Sequence, residues 1–371
     1  MGYIPFMQTS FDSVDSKAVF EQVKSGYVGP GDSVKTFGRA LTRQTLRKNC
    51  QLTTSGTVAL SLAALAAGLN KGDEILVPAY GVISTIHAFS SIGLYPRLVD
   101  VKVNTASMSL DEICKSITKK TRAICYVNFA GNTGADLVEI EKFCKDEKLI
   151  LIEDAACALG NSFEGKMAGS FGDISTLSLS APKIITTGQG GAILTNKDKL
   201  IRRVSEMIDL GDVNWRAKNL NSGIGSNLRY TDLQASFGIT QLKSLTKKLK
   251  HRNKVFRELR SRLNNCLFNP DGNEAPLYNI ILSEEREEIQ YFLRKHNVAS
   301  VIQYRAIYEH PPYNHLKYRQ FTGAEYWNNR ALFLPFGNGL TIEQSIAVGS
   351  LLESRISLMH EFVTSNLLVS K

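Results

Sequence analysis

The sequence lacks a long hydrophobic run and any close pairing of its cysteines. The longest apolar stretch, residues 58–69, is interrupted by Ser61 and contains Gly68 near its end, so it is too short to cross a bilayer. The N-terminus has neither the basic region nor the apolar run of a secretory signal. We therefore expect a cytoplasmic protein with no membrane contact.

Cysteine usage points to a reducing compartment. The chain has six cysteines and no Cys-x-x-Cys pair: Cys50, Cys114, Cys125, Cys144, Cys157 and Cys266. In a chain of 371 residues this scatter argues against a zinc site and against a disulfide framework. We expect no metal.

Two further absences narrow the function. No strand pattern is followed by Gly-x-Gly-x-x-Gly within a strand–helix–strand unit, so a nicotinamide-dependent enzyme lacks support. The net charge is +9, but the basic residues are spread along the chain, with only modest runs such as residues 247–250. Nucleic-acid binders usually gather such residues on one surface, so we expect no nucleic-acid partner. The excess positive charge would also suit an anionic substrate such as a sugar nucleotide.

The pattern of apolar runs predicts an α/β fold with a largely parallel sheet. Between residues 50 and 200, short apolar runs alternate with helical stretches. The predicted strands are residues 74–77, 95–100, 123–127, 149–152, 174–178 and 192–195, and one predicted helix covers residues 136–147. An amphipathic helical segment spans about 231–263, a short strand covers 278–282, and a last helix starts at 341. We predict a large domain over residues 1–240 and a smaller α+β domain over 241–371.

Four segments have the chemistry to hold a phosphate-bearing cofactor. Ser55, Gly56 and Thr57 open a helix, where free N–H groups favour an anion, although plain N-capping by Ser55 or Thr57 is the more ordinary explanation of this segment alone. Asp154 ends an apolar strand at the edge of the sheet where ligands usually bind. An aspartate there could keep a pyridinium nitrogen protonated, or it could simply cap the next helix.

The third segment contains a lysine in an unusual setting. Lys183 lies between an apolar strand and the glycine-rich turn of residues 188–191, with Ser178 five residues earlier. A lysine that is partly desolvated beside a cationic ring can have a lowered pKa and form a Schiff base. The fourth segment, residues 225–234, combines a turn, Asn227 and a helix N-cap, and read alone it is only a helix start.

Together, the order of these segments resembles the sugar-aminotransferase family (the DegT/StrS group) of fold-type-I pyridoxal-phosphate (PLP) enzymes. The matching segments are residues 26–31, 55–57, 71–78, 99–101, 153–156, 172–175, 186–191 with Lys183, 227–229 and 333–335. The resemblance implies a fold-type-I transferase in which the first 25 or so residues pack on the small domain. It also implies amino transfer from a donor, usually glutamate, to a keto-sugar, typically a nucleotide-linked deoxysugar. Such reactions serve amino-sugar and polysaccharide biosynthesis, including the lipopolysaccharide O-antigen.

The resemblance assigns roles to individual residues. It implies that Lys183 holds PLP covalently and moves protons at the substrate carbon, and that Asp154 pairs with the pyridine nitrogen. Ser55, Gly56, Thr57 and Ser178 correspond to phosphate contacts. Asn227 corresponds to a residue that reaches the phosphate of a neighbouring subunit, which requires a homodimer with shared active sites.

Several positions depart from the family's common pattern. Cys157 stands where Gln, His or Glu is usual near the phenolic oxygen of the cofactor, and a thiol is a weaker donor. Val82 replaces the aromatic residue that usually stacks on the ring, and Asn128 takes a place often held by His. These changes leave the lysine and aspartate chemistry intact.

The resemblance also points to substrate contacts in the C-terminal part. Tyr304, Arg305, Tyr308 and His310 lie where the family often places substrate-facing residues, and Arg229 is a further candidate for a carboxylate or phosphate. Ordinary packing or surface roles explain each of them equally well.

Two alternative functions stay open. One is a PLP-dependent sugar dehydratase, although the related dehydratases have His in place of the lysine that this chain keeps at 183. The other is a sugar-binding regulatory protein that keeps the fold without turnover.

Overall fold

The computed structural model describes residues 2–221, 223–263, 267–268 and 276–369 of the chain. Its centre is a seven-stranded sheet. In spatial order the strands are β1 (Asn49–Thr53), β10 (Gly191–Thr195), β9 (Ile174–Ser178), β6 (Ile150–Asp154), β5 (Thr121–Val127), β2 (Glu74–Pro78) and β4 (Tyr95–Val99). All six strands predicted from apolar runs lie in this sheet, so the expected α/β architecture is confirmed.

The sheet is parallel except at one strand. β2, β4, β5, β6 and β9 run in the same direction, whereas β10 pairs antiparallel with both β9 and β1. Because β10 returns directly from β9, the connection between them, residues 179–190, stays at the carboxyl edge of the parallel strands. This connection contains the lysine singled out above.

Helices cover the sheet, and along the chain many of them alternate with its strands. They are α1 (Ser13–Lys24), α2 (Asp32–Thr45), α3 (Gly56–Ala66), α4 (Ile83–Ser90), α5 (Leu110–Ser116), α6 (Ala135–Asp146), α7 (Asp198–Ile208), α8 (Trp215–Lys218), α9 (Asp232–Lys243) and α10 (Leu245–Leu263). The predicted helix 136–147 corresponds to α6. The segment 231–263 forms two helices rather than one, because the first ends at Ser244.

Helix α3 packs closely against the sheet because its side chains are small. Ala59, Ala63 and Ala66 are completely buried. Small side chains let the helix backbone approach its neighbours, and interiors of this density tolerate few voids. The helix contacts β9, β10 and β6, and these contacts fix its N-terminus beside the end of β9.

The other elements form small sheets, helices and short turns, most of them in the C-terminal part. The remaining elements are β3 (Tyr80–Gly81), β7 (Ser162–Phe163), β8 (Lys166–Met167), β11 (Asn279–Leu282), α11 (Arg286–Lys295), β12 (Arg305–Ala306), α12 (Thr322–Arg330), β13 (Ala331–Leu334) and α13 (Ile342–Val369), with 3-10 turns at Phe129–Gly131, Ile307–Glu309 and Pro311–Leu316. β11 pairs antiparallel with β13, and β12 pairs antiparallel with β3. The β12–β3 pair brings the C-terminal part to the edge of the main sheet.

The first residues of the chain contact the C-terminal part. Ile4 donates its N–H to the carbonyl of Asn297 at 2.9 Å, and Phe336 donates to the carbonyl of Phe6 at 3.0 Å. Ile4 is buried in a core cluster with residues of α10, α11 and α13. The division of the chain at residue 240 stays a prediction.

Among the described residues, no helix is long and apolar enough to span a membrane. Cys266 lies outside the described residues.

Candidate active site

The candidate site lies where β5, β6 and β9 end. Val127 is paired with Asp154, and Asp154 with Thr176, so these three strands end side by side. The carboxyl edge of parallel strands is the usual ligand-binding edge of such sheets. The lysine loop begins where β9 ends, so the structure brings Asp154 at the end of β6 close to that loop.

Asp154 is buried and held in place by two hydrogen bonds. Its Oδ2 accepts from Thr85 Oγ1 at 3.0 Å, and its Oδ1 accepts from the N–H of Ala156 at 3.2 Å. Burial raises the pKa of Asp154, whereas the Ala156 N–H, the Lys183 charge and the Thr85 hydroxyl oppose that shift. Sequence reasoning missed Thr85, although its position one helical turn into α4 was a weak signal.

Lys183 is carried by a loop that its neighbours fix. Lys183 donates its N–H to the carbonyl of Ser180 at 3.1 Å, and the next two residues, Ile184 and Ile185, are buried. Asn338 Nδ2 donates to the carbonyl of Ile184 at 2.8 Å. The backbone on both sides of the lysine is thus anchored, which limits where its amine can reach.

The Lys183 amine lies against a thiol. Lys183 Nζ lies 3.2 Å from Cys157 Sγ, and both residues are half-buried. The Tyr304 hydroxyl is hydrogen-bonded to that of Tyr278 at 2.9 Å, and both tyrosines interact electrostatically with Cys157. Tyr278 is a second site residue that the sequence did not reveal, since it lies almost a hundred residues from the lysine.

The pKa of Lys183 differs from the sequence-based expectation. Desolvation alone would lower it, as predicted, but Cys157, Tyr304 and Asp154 outweigh burial and raise the pKa of Lys183. The surrounding groups that can carry negative charge therefore favour the ammonium form. A cationic ring, which the prediction assumed, would act in the opposite direction.

The N-terminus of α3 forms a compact pocket wall with Ser178. Ser55 is the N-cap and its side chain accepts from the N–H of Val58 at 3.2 Å. A Cβ at Gly56 would lie only 3.0 Å from Ser178 Cβ. The first N–H groups of a helix have no partner within the helix, so those of Gly56 and Thr57 can receive an anion.

Val82 and Asn128 border the same edge. Val82 precedes α4 and lines a narrow cavity together with Val127 and Ile307. Asn128 directly follows β5 and is completely buried, and its Nδ2 donates to the carbonyl of Asn132 at 3.1 Å. Within the described part of the chain, Asn128 Oδ1 is buried without a hydrogen-bond partner.

Asn227 and Arg229 lie apart from the lysine, near the surface. Asn227 is exposed, and its Oδ1 accepts from Arg229 Nε at 2.9 Å. Arg229 also forms an ion pair with Asp209 at 3.1 Å. Within this chain Arg229 is therefore engaged by the side chains of Asn227 and Asp209.

The four C-terminal candidates occupy different environments. Tyr304 contacts the lysine region, and the exposed Arg305 belongs to β12, paired with Gly81. Tyr308 is buried and stacks on Phe321, with ring centroids 5.5 Å apart. His310 is half-buried, and burial lowers its pKa.

A separate cavity of about 890 Å³ opens at the opposite edge of the sheet. Two of its basic side chains are engaged within the chain: Lys166 contacts Glu141, and Arg47 Nε donates to the carbonyl of Gly169 at 2.9 Å. Size alone would favour this cavity, but the reactive amine and the buried carboxylate lie at the other edge. The chemistry decides in favour of the carboxyl edge.

The residues at the carboxyl edge fit pyridoxal phosphate. A primary amine can bond to its aldehyde, a buried carboxylate can pair with its ring nitrogen, and a helix N-terminus beside a serine can receive its phosphate. Glycine is needed for this packing: a Cβ at Gly191 would lie 2.3 Å from the carbonyl oxygen of Ser55. These residues therefore match the amine, carboxylate and phosphate-binding groups that this cofactor needs.

Comparison with known proteins points the same way. The model of the DegT/DnrJ/EryC1/StrS aminotransferase family matches residues 10–353. The chain is 30% identical to a GDP-perosamine synthase from Escherichia coli O157:H7, over 94% of this chain and 97% of the relative. It is 27% identical to a dTDP-4-dehydro-2,6-dideoxy-D-glucose 3-dehydratase from Saccharopolyspora spinosa, over 89% and 81% of the two chains.

Solved structures share the fold. An aminotransferase from Streptoalloteichus hindustanus superposes with a TM-score of 0.90 at 22% identity, covering 96% of this chain and 100% of the other.

Proposed function

The chain belongs to the DegT/DnrJ/EryC1/StrS aminotransferase family, and from this membership we propose which of its residues carry the reaction and what they act on. It is a PLP-dependent sugar aminotransferase, so the predicted family, function and cofactor are confirmed. We propose that Lys183 is the residue that binds the cofactor covalently. The observation that carries this assignment is that the loop of Lys183 follows β9 at the carboxyl edge of the sheet, beside the strand β6 that ends in the buried Asp154.

Asp154 acts on the ring nitrogen. When bound, PLP withdraws electrons from the substrate carbon, and it does so best with its ring nitrogen protonated. Asp154 holds that proton in place. Thr85 and the Ala156 N–H orient the carboxylate. Each of these donors occupies only one lone-pair position of the carboxylate oxygens.

Lys183 has two tasks that need different protonation states. Its amine must be neutral to bond to the aldehyde, and it must take and return a proton at the substrate carbon. The surrounding Cys157 and Tyr304 favour the charged form before the cofactor enters. The pair of tyrosine hydroxyls beside it gives that proton a polar environment.

The phosphate and the ring are held by different elements. Ser55, Gly56 and Thr57 at the start of α3 bind the phosphate together with Ser178. Val82 packs an aliphatic side chain on the ring, and Cys157 lies beside the lysine, where it offers only a weak hydrogen bond. The aliphatic contact and the thiol together predict weaker cofactor binding than an aromatic residue and an amide would give.

The acceptor is a keto-sugar, and we propose that it is a nucleotide-linked keto-deoxysugar with glutamate as the amino donor. The relatives act on GDP- and dTDP-linked sugars by their names, which supports a nucleotide but does not choose one. Tyr304, Arg305, Tyr308, His310 and Arg229 are the proposed substrate contacts. Amino-sugar biosynthesis for a surface polysaccharide such as the lipopolysaccharide O-antigen is the corresponding role.

We propose a homodimer with shared active sites in the cytoplasm. Asn227 is exposed and near Ile224, whose side chain is 99% exposed. Leu220 and Val213 of the same segment are exposed as well, and several exposed apolar side chains next to a proposed phosphate ligand support a subunit contact there. Asn227 would then complete the phosphate site of the partner.

Product analysis tests the function. Purified protein is supplied with glutamate and, in turn, with GDP-, dTDP- and UDP-linked keto-sugars. We expect 2-oxoglutarate and an amino sugar in equal amounts with one of them. Loss of a sugar hydroxyl without an amino product would identify a dehydratase, and sugar binding without any glutamate exchange would identify a regulatory protein.

A further inference from the structure

The contact between Cys157 and Lys183 has a chemical consequence beyond amino transfer. The thiol sulfur and the amine nitrogen lie 3.2 Å apart, so the two atoms can bond to each other directly. Both side chains are half-buried, so a small oxidant can reach them while bulk solvent is partly excluded.

The other described cysteines lack this combination. Burial raises the pKa of Cys50 and of Cys144 to about 12 and raises that of Cys125 well above its ordinary value, so these three thiols are poor nucleophiles. Cys114 is exposed, which makes it an internal standard for ordinary surface oxidation.

We propose that Cys157 and Lys183 form a reversible sulfur–nitrogen bond when a peroxide is present and the lysine is free of cofactor. In the first step the Cys157 sulfur attacks the peroxide. The O–O bond breaks, sulfur is oxidised to a sulfenic acid, and water leaves. In the second step the Lys183 ammonium gives a proton to solvent, and the resulting neutral amine attacks that sulfur. The S–O bond breaks, and the hydroxyl leaves as water with a proton from the nitrogen, which forms a sulfenamide.

The backbone around both residues is fixed, which favours reaction of Cys157 with Lys183 over reaction with another group. Ala155, two residues before the thiol, donates to the carbonyl of Thr176 at 2.9 Å, and Lys183 is anchored through Ser180. The flexible four-carbon stem of lysine supplies the remaining movement. The hydroxyl groups of Tyr278 and Tyr304 border the pair and can relay the proton of the nitrogen to the departing oxygen.

The bond would act as a protective device for the unloaded enzyme. A bridged Lys183 cannot hold the cofactor, and this consequence rests on the proposed function. The bridge also stops Cys157 from reaching irreversible oxidation states. Two equivalents of a small thiol restore the pair. The first attacks the Cys157 sulfur, releases the amine and forms a mixed disulfide. The second attacks that mixed disulfide and frees Cys157.

Peptide mapping of the full-length chain tests the proposal. The purified protein is stripped of cofactor, treated with hydrogen peroxide, digested and analysed by mass spectrometry. We expect a peptide pair joining Cys157 to Lys183, lighter than the sum of its parts by two hydrogen atoms and lost after treatment with dithiothreitol. The pair should vanish in Cys157→Ala and in Lys183→Arg, and should persist in the matched control Cys114→Ser.

Two results would overturn the bridge. One is oxidation of Cys157 to sulfinic acid with no linked peptide, and the other is oxidation of Cys114 while Cys157 stays reduced. A parallel sample saturated with PLP before the peroxide should show the linked peptide reduced at least tenfold, since the cofactor occupies the amine. If the bridge forms equally with and without PLP, the bridge stands and the assignment of Lys183 as the cofactor lysine fails.

Discussion

The Asp154 carboxylate is buried at the end of β6 and fixed from two sides, which makes its role testable by a pair of substitutions. Asp154→Asn keeps the shape but removes the charge that holds a proton on the ring nitrogen. We expect kcat/KM to fall on the order of 100- to 1,000-fold. Thr85→Val removes one neutral hydrogen bond to the same carboxylate and should cost about tenfold or less.

Steady-state rates of both variants, with cofactor content measured by absorbance, decide the matter. Equal losses in Asp154→Asn and Thr85→Val at full cofactor occupancy would contradict the role given to the charge.

Glu153, the neighbour of Asp154, predicts a pH dependence of stability. Burial raises its pKa to about 7, although the N–H groups of Gly169 and Phe171 and the charge of Arg47 oppose that shift. In the unfolded chain the same carboxyl has an ordinary pKa near 4.5. Between these values the folded state binds more protons than the unfolded state, so this group makes the protein more stable as the pH falls from 7 towards 4.5.

The Glu153→Gln variant isolates that contribution. Urea unfolding at pH 8 and pH 5.5 should show the wild type gaining about 2 kcal/mol more than the variant on acidification, because each pKa unit corresponds to about 1.4 kcal/mol. The same pH dependence in both proteins would mean that Glu153 does not titrate in this window.

At the scale of elements, the start of α3 carries the proposed phosphate site. Ser178→Ala removes one hydroxyl that lies beside Gly56 at the end of β9, without touching the helix cap. We expect about a tenfold weaker Kd for PLP and an unchanged melting temperature of the cofactor-free protein. Ser55→Ala should weaken binding as well, and should also destabilise the cofactor-free protein by about 1 kcal/mol through loss of the N-cap.

Titration by absorbance and thermal unfolding separate the two effects. If Ser178→Ala leaves the Kd for PLP unchanged, the phosphate lies elsewhere.

The elements also show how far the sequence could predict the structure. The strands β2, β5, β6 and β10 were predictable because each contains a short, continuous apolar run between turns, the pattern of strands covered on both faces. β4 and β9 contain polar residues such as Arg97 and Thr176, and they were predicted from their remaining apolar residues and the regular alternation with helices. β1 was missed because most of its residues are polar and half-buried. Its pairing with β10 also joins two segments that lie far apart in the sequence. The antiparallel direction of β10 was not predictable, since neither the spacing of apolar residues nor the composition of a strand encodes its direction.

The site was predictable in its chemistry and not in its contacts. Lys183 and Asp154 stood out by their setting and by resemblance. Thr85, Tyr278 and the direct contact of Cys157 with the lysine arise from long-range packing that no local pattern records. Asp100, part of a matching segment, accepts from the N–H groups of Gly323 and Ala324 at 3.0 and 2.9 Å, so it caps α12.

At the scale of the whole molecule, the proposed dimer links two sites through the segment around Asn227. Ile224→Glu places a charge on the most exposed apolar side chain of that segment, where burial at a contact would cost it its hydration. We expect a shift from dimer to monomer in light scattering, with weaker PLP binding because the partner's phosphate contact is lost. Tyr291→Glu, on an exposed face of α11, is the matched control and should remain dimeric.

A wild-type monomer with full cofactor affinity would contradict shared sites. The proposed division at residue 240 concerns the same scale. The N-terminal residues hydrogen-bond to positions 297 and 336 while α1 packs on α9, so we propose that the N-terminal segment ties the two predicted domains together.

The central claim is that one amine, that of Lys183, holds the cofactor. The direct measurement is to saturate the purified protein with PLP, reduce it with borohydride, digest it and locate the modified peptide. The account predicts a single permanent adduct on Lys183, and loss of both the adduct and amino-group exchange in Lys183→Ala. An adduct on another lysine, or none in the saturated wild type, would contradict it.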